Sequence, residues 1–173
     1  MSAPTDAPEP PAAPEDRPDP RLERRLARSA ARLAAVQALF QMEATGADMR
    51  AVQAEFETHR LGQRIDDVEY READIALFRS LLAGAVTRQI EIDQITDQAL
   101  VERWPLGRID PTLRALFRAA GAELLTESRT PHKVVINEFV DVAKAFYPEG
   151  KEARFVNAVL DHMARRIRPD AFA

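Results

Sequence analysis

The sequence predicts an all-α protein of about seven helices in two small packed bundles, preceded by a tail that does not fold. Apolar residues recur at every third or fourth position through long stretches, as they do on one face of a helix. The 173 residues are 46% hydrophobic, with few aromatic side chains. Alanine, leucine, valine and isoleucine mixed with many arginines and glutamates favour helices over sheet.

Residues 1–20 differ in composition from the remainder. They contain seven prolines, four alanines, five acids and one arginine, without a periodic apolar pattern. Such a segment buries too little apolar surface to offset the entropy lost on ordering. We expect a disordered acidic tail. It is either a solvated extension without a role or an arm that competes for the arginines that follow it.

The first helix is expected from about Arg21 to Glu43. Its buried stripe is predicted at Leu22, Leu26, Leu33, Val36 and Phe40. Arginines recur along this helix at spacings of four, three and four residues, which predicts one row of guanidinium groups flanking the stripe. The row consists of Arg21, Arg25, Arg28 and Arg32. It suits a phosphate backbone, and a solvated helix face is the alternative.

Turn and cap signals divide the middle of the chain. Asp48 is expected to cap a second helix that reaches about Arg60, and Asp66 and Asp67 to cap a long third helix. The third helix is expected to bury Ile75, Phe78, Leu82, Val86 and Ile90. Gly84 within it predicts a close approach of another helix.

A short helix from Ile92 to Glu102 is expected next, ended by Trp104-Pro105 and Gly107. We place the boundary between the two bundles there. The N-terminal bundle then covers about 21–103 and the C-terminal bundle about 104–168. Trp104 is expected to pack in the core at this junction.

Three further helices carry the strongest signals. Asp110-Pro111 and Thr130-Pro131 each predict a capped helix start, and Pro148 and Gly150 predict the end of the second of these helices. The buried stripes are expected at Leu113, Leu116, Phe117, Ala120 and Leu124; at Val135, Phe139, Val142 and Phe146; and at Phe155, Val156, Val159, Leu160, Met163 and Ile167. On the last helix, Arg154, Asn157, Asp161, Arg165 and Arg168 are expected opposite that stripe. The short turn predicts that the last two helices pack antiparallel.

Two long motifs lie in these last two helices. The first, P-x-K-V-x-I-N-E-x-V-x-x-A-K-x-F, runs from Pro131 to Phe146, and the second, F-V-N-x-V-L-D, from Phe155 to Asp161. Together they resemble the NusB family of bacterial transcription antitermination factors. The segment from Ala35 to Phe40 is similar to the family's A-x-Q-A-L-Y, with phenylalanine in place of the usual tyrosine. Ala122 stands where a tyrosine is common in the family.

The resemblance implies a partner and a nucleic acid. It implies pairing with NusE, a small-subunit ribosomal protein in its extra-ribosomal form, and recognition of the boxA element of nascent ribosomal RNA transcripts. With RNA polymerase and other Nus factors, the pair promotes passage through terminators. Arginines on the first helix are expected to hold the RNA backbone, and other side chains to contact unstacked bases. The residues are Arg25, Arg28 and Arg32 for the backbone, and Phe40, Arg118, Arg154 and Asn157 for the bases.

Alternatives remain for individual residues and for the protein. A core position is the alternative for Phe40, and a surface ion pair is the alternative for Arg118. A helical scaffold that binds proteins without touching RNA is the second hypothesis for the whole chain. A NusB-like domain also precedes the catalytic domain of some RNA cytosine methyltransferases, but no such domain follows before Ala173.

Other classes of function lack support in the sequence. The chain has no cysteine, and its three histidines lack the spacing of helix-borne metal ligands. No glycine-rich loop or acid pair predicts catalysis, a cofactor or a small-molecule substrate. No apolar run approaches the roughly 20 residues that span a bilayer, which favours a cytoplasmic protein. The net charge of -4 argues against indiscriminate nucleic-acid binding, although residues 21–32 carry a local excess of basic charge, with five arginines and one glutamate.

Overall fold

The computed structural model describes residues 19–61, 64–65, 68–69, 74–100, 106–126 and 130–173. Most of these residues lie in seven helices, so the all-α prediction is confirmed. The helices are α1 Pro20–Thr45, α2 Met49–His59, α3 Ile75–Thr87, α4 Gln89–Ala99, α5 Pro111–Leu125, α6 His132–Phe146 and α7 Lys151–Ile167. Two short antiparallel strands, β1 Arg64–Ile65 and β2 Val68–Glu69, lie between α2 and α3. Short 3-10 turns occur at Leu106–Arg108 and Pro169–Phe172.

Helix α5 lies at the centre of the fold. It begins at the predicted cap, where Asp110 accepts a hydrogen bond from the Thr112 amide at 2.8 Å. Ten of its fifteen residues are buried, including the whole predicted stripe, and it packs against α1, α3, α4, α6 and α7. Small residues on its remaining faces are buried as well, because neighbouring helices surround it.

The contacts of α5 fix the directions of its neighbours. Arg32 of α1 pairs with Glu123 late in α5, whereas Glu43 of α1 pairs with Arg114 early in α5. The two helices therefore run in opposite directions. Helix α7 runs with α5, since its Phe155 contacts Phe117 and the Arg168 that follows it bonds the Leu124 carbonyl.

These directions define two ends of the molecule. The arginine end carries the first two turns of α1, Thr130 and Arg168. The Phe40 end carries Phe40 and the last turns of α1, the first half of α5 and the start of α7. Both names are kept below.

Helix α1 buries a different face from the one predicted. Of the expected stripe, only Val36 is buried, while Leu22 is 46% exposed and Phe40 39% exposed. The inner face is made of Ala31, Arg32, Ala34, Ala35, Ala38 and Leu39. Alanine allows α3 and α5 to approach closely, so burial here does not follow the bulky side chains.

The predicted long third helix is interrupted at Arg88, where the backbone leaves the helical region at φ -110° and ψ 21°. Ile75, Val86 and Ile90 are exposed by 42%, 36% and 78%, so their predicted burial is wrong. The cap of α3 is Asp74, which accepts from the Leu77 amide at 2.9 Å, and Asp66 and Asp67 lie outside the described residues. Gly84 does meet another helix closely, because a Cβ built there lies 3.3 Å from the Cβ of Ala122.

The last two helices follow their predicted stripes. Val135, Phe139 and Val142 of α6 are buried, and so are Val156, Val159, Leu160 and Met163 of α7. The buried side chains of the described residues form one cluster that includes members of all seven helices. The proposed bundle boundary and Trp104 fall in residues 101–105, outside the described residues. The division into two bundles at that point therefore stays a prediction, as does the disorder of the tail, whose residues 1–18 are not described.

Candidate nucleic-acid interface

Three arginines project from the first two turns of α1. Asp19 caps the helix by accepting a hydrogen bond from the Arg21 amide at 2.9 Å, and Pro20 occupies the first helical position. Arg21, Arg24 and Arg25 are exposed. Within the described part of the chain, none of the three side chains has an ion pair or hydrogen bond. The positive end of the helix dipole adds to their charge, so cations here are disfavoured by about 0.3–1 kcal/mol each.

Arg28 is the next member of the row, and part of its guanidinium already contacts other residues of the protein. Its Nη2 donates to Thr130 Oγ1 at 3.1 Å, and its Nη1 lies 3.6 Å from Asp74 Oδ2. The side chain remains 37% exposed. Arg28 therefore joins three elements at the arginine end while keeping part of its guanidinium open to a ligand.

The predicted exposed row is wrong at Arg32, because its side chain is buried. Nε and Nη2 donate to the two carboxylate oxygens of Glu123 at 2.9 and 2.7 Å. Glu138 lies 3.4 Å away and accepts from the Ser29 hydroxyl at 2.7 Å. Burial lowers the pKa of Arg32, but hydrogen bonding to Glu123 and the two acids' charges outweigh it and leave the pKa raised. The row faces α5 as it continues, so Arg32 has no free group for a phosphate.

Phe40 and Arg118 lie at the other end. Phe40 is exposed, so the core alternative is not adopted and its ring is accessible for stacking. Arg118 is only 14% exposed, because it donates twice to Asp93, at 3.0 and 2.9 Å, and once to Glu43 at 3.0 Å. Arg114 also pairs with Glu43, and its hydrogen bond is the main reason that the pKa of Glu43 is lowered. The ion-pair alternative therefore describes Arg118.

The start of α7 presents two free polar side chains. Arg154 and Asn157 are exposed and lie three residues apart, on one face of the helix. Within the described part of the chain, neither side chain has a hydrogen bond or ion pair. Phe155 between them is half-buried against Phe117, with ring centroids 6.1 Å apart and planes at 71°.

The seven predicted site residues thus divide between the two ends. Arg25 and Arg28 lie at the arginine end, whereas Phe40, Arg118, Arg154 and Asn157 lie at the Phe40 end. Fifteen residues of helix separate Arg25 from Phe40, which corresponds to about 22 Å along α1. Arg32 lies in the interior between them.

Sequence reasoning missed some charged residues and misplaced another. Arg24 is as exposed as Arg25, and Lys133 is exposed on the first turn of α6, near Thr130. Arg24 lies three residues after Arg21 and four before Arg28, so its helical spacing was a usable signal. Arg168 was expected at the solvent-facing side of α7. It instead donates to the Leu124 and Thr130 carbonyls, each at 2.8 Å, and stabilises the end of α5.

Two further properties of the described residues bear on the type of site. No group of three or more histidines, cysteines or acids lies close enough there to hold a metal ion. None of the helices in this part of the chain is long and apolar enough to cross a membrane.

Fold and surface together define a small helical protein with three unpaired arginines on the first two turns of its first helix. Residues 29–165 match the model of the NusB family, and the chain belongs to that family. The transcription antitermination protein NusB of Mesorhizobium japonicum is 50% identical over 134 residues, which cover 78% of this chain and 86% of that protein. The protein of the same name from Brucella anthropi is 47% identical over 137 residues, covering 79% and 81%.

Solved structures of NusB also match the fold of this chain. A structure of NusB from T. maritima has a TM-score of 0.63 and 28% identity, and it covers 87% of this chain and 96% of that one. A structure of the antitermination factors NusB and NusE in complex with double-stranded RNA has a TM-score of 0.64 and 25% identity. The match covers 81% of this chain and 97% of the matched one.

Proposed function

We propose that this protein is a transcription antitermination factor that binds RNA together with NusE. The observation that carries the proposal is the 50% identity to a transcription antitermination protein NusB over most of both chains. The solved relative that holds NusE and RNA supports both partners. Its RNA ligand is boxA of nascent ribosomal transcripts, and its location is the cytoplasm, where bacterial transcripts are made.

The arginine end is the proposed contact for the RNA backbone. Arg21, Arg24 and Arg25 have no protein partner in the described part of the chain, so a phosphate that reaches them breaks no ion pair there and releases counterions. Arg28 then orients the strand, because its other contacts fix its position. This assignment keeps Arg21, Arg25 and Arg28 of the predicted arginine row, omits Arg32 and adds Arg24.

The Phe40 end is the proposed contact for bases. Phe40 offers an exposed ring for stacking, and Asn157 offers donor and acceptor groups for a base edge. Arg154 can stack on a base or pair with a phosphate. Arg118 stabilises the protein at this end through Asp93 and Glu43, and it is not needed as a base contact.

NusE supplies the remaining affinity in this proposal. The protein has a net charge of -4, so its own attraction for RNA is weak. Two adjoining proteins that engage one RNA bind it more tightly than either alone. The protein acts by assembling with RNA polymerase and other Nus factors, and not as an enzyme. It requires no cofactor.

Fluorescence anisotropy with labelled boxA RNA tests the proposal. Binding is measured with and without purified NusE, against a scrambled RNA and at about 50 and about 200 mM salt. A boxA duplex forms a further arm, because the solved relative contains double-stranded RNA. Tighter and sequence-selective binding with NusE is expected. Absence of boxA binding under every condition, with NusE still bound regardless of salt, would favour the protein scaffold instead.

A further inference from the structure

We propose that the acidic N-terminal segment, residues 1–19, binds the exposed arginines of its own α1 and competes with RNA for them. The proposal rests on the proposed RNA binding and adds to it a built-in competitor. The occupant of the arginine end in the free protein is thus part of the same chain.

The charges on the two sides are complementary. The 20 residues up to the start of α1 contain five acids and one arginine, and the next twelve contain five arginines and one acid. The structure decides which of those arginines are available. Arg32 is paired with Glu123, and Arg28 with Asp74 and Thr130. Arg21, Arg24 and Arg25 remain as an unpartnered cationic face, next to the point where the acidic segment joins the helix.

The connection is short enough for the contact. Glu15 and Asp16 precede Pro20 by only five and four residues, which span at most about 18 Å. Arg25 lies about 8 Å along the helix from Pro20, at 1.5 Å per residue. Glu9 and Asp6 are tethered more loosely, but a tether of this kind still gives effective concentrations in the millimolar range. Several weak charge pairs can then form with the arginines.

An exposed contact of this kind is sensitive to salt. The Debye length falls from about 30 Å at 0.01 M to about 10 Å at 0.1 M ionic strength, so distant pairs are screened first. The acidic segment also opposes RNA directly, because its negative charge repels a phosphate that approaches α1. The expected consequence is weaker RNA binding at low salt than the arginines alone would give.

The first experiment compares three full-length proteins for boxA binding in the presence of NusE. The first is unchanged. The second has four acids of the tail neutralised and keeps Asp19, which caps α1. The third carries an equal charge change at described positions outside the tail, as the matched control. The tail variant is D6N/E9Q/E15Q/D16N and the control is D97N/D141N/E149Q/E152Q.

We expect the tail variant to bind RNA at least about threefold more tightly than the unchanged protein at about 50 mM salt, with the gain much reduced at about 200 mM. The control gains less at both salt concentrations. Equal affinities of the tail variant and the unchanged protein overturn the proposal, as does an equal gain in the control. If none of the three proteins binds RNA, the proposed function fails. The second experiment then tests the contact between the tail and α1 without RNA.

The second experiment needs no RNA. Because the sequence has no cysteine, T5C provides a single attachment site for a spin label. The label is expected to broaden the amide signals of the first two turns of α1 at low salt, and this broadening is lost at high salt and in the tail variant. Broadening spread evenly over the protein, or none, overturns the proposal. Broadening that appears only when labelled protein is mixed with unlabelled isotope-enriched protein identifies a contact between copies and also overturns it.

Discussion

Three arginines at helical spacing have three different environments in this protein. Arg25 is exposed, Arg28 is shared between a hydroxyl and a carboxylate, and Arg32 is buried against two glutamates. The spacing alone correctly placed them on one face of α1. It did not show that this face turns towards α5, because the deciding partner, Glu123, lies 91 residues further along the chain. Individual roles within such a row depend on tertiary contacts.

The pair between Arg32 and Glu123 leads to a prediction about stability. Glu123→Ala leaves a guanidinium in the interior with only Glu138 nearby, so we expect the free energy of unfolding to fall by about 3–5 kcal/mol. Urea denaturation followed by circular dichroism measures the change. Glu57→Ala is the control, because it removes the partner of the exposed Arg79 and is expected to have a much smaller effect. Equal losses of unfolding free energy in the two variants would show that burial of the ion pair does not determine how much its removal destabilises the protein.

Tyr147 predicts an alkaline dependence of stability. Burial, followed by the nearby Asp110 carboxylate, raises the pKa of Tyr147 to about 12, and its hydroxyl oxygen is buried without a hydrogen-bond partner of good geometry. An unfolded tyrosine titrates near about 10, so this contribution is fully present below pH 10 and is lost as the pH rises through 12.

Tyr147→Phe isolates this contribution from that of other alkaline groups. Near neutral pH, the variant is expected to be about as stable as the unchanged protein, because no hydrogen bond is lost. The unchanged protein then loses stability relative to the variant as the pH rises above 10. Denaturant unfolding of both proteins across this range provides the measurement. Parallel curves would contradict the raised pKa.

At the scale of helices, sequence patterns succeeded where bulky apolar side chains carry the packing. The stripes of α5, α6 and α7 were predicted because leucine, valine and phenylalanine recur on their buried faces. Helix α1 was misread because alanines form its inner face. The interruption at Arg88 carries no glycine or proline signal, so periodicity ran through it. Because the buried face of α1 was assigned from its bulky side chains, Phe40 was placed in the buried stripe although its ring is exposed.

Two glycines at helix contacts predict different costs of substitution. A Cβ at Gly121 would lie 2.5 Å from Cγ2 of Ile92, a buried branched side chain that cannot easily move. We expect Gly121→Ala to destabilise the protein by about 1–3 kcal/mol. At Gly84 the nearest atom is 3.3 Å away, so Gly84→Ala should be closer to neutral, since alanine gains about 1 kcal/mol of helix propensity.

Denaturation of both glycine variants measures the difference between the two contacts. Ile92→Leu moves the side-chain branch away from Cβ, and it should recover part of the loss when combined with Gly121→Ala. Simple addition of the two single losses would argue against a steric origin. A greater loss in Gly84→Ala than in Gly121→Ala would contradict the packing that the structure describes.

For the whole molecule, the important property is that its accessible RNA-contact candidates occupy opposite ends. The length of α1 separates the unpaired arginines of its first two turns from Phe40. Because α1 and α5 are antiparallel and α7 runs with α5, Arg154 and Asn157 lie at the Phe40 end. One RNA that uses both sets must extend along the protein for about the 22 Å that α1 provides between Arg25 and Phe40. Contacts so far apart share no partner and are expected to act independently.

This separation predicts additive effects on the salt dependence of RNA binding. Each phosphate contact to a single strand contributes about 0.7 to the slope of log affinity against log salt. Arg25→Gln and Arg154→Gln should therefore each reduce the slope by about 0.7, and the double variant by about 1.4. Arg79→Gln is the matched control, since Arg79 is exposed but paired with Glu57, and its slope should equal that of the unchanged protein. Anisotropy titrations of boxA with NusE at several salt concentrations provide the slopes. An unchanged slope for Arg25→Gln would remove the arginine end from the RNA path, and an unchanged slope for Arg154→Gln would show that Arg154 contacts no phosphate. A double variant no different from either single would show that the two arginines hold the same phosphate.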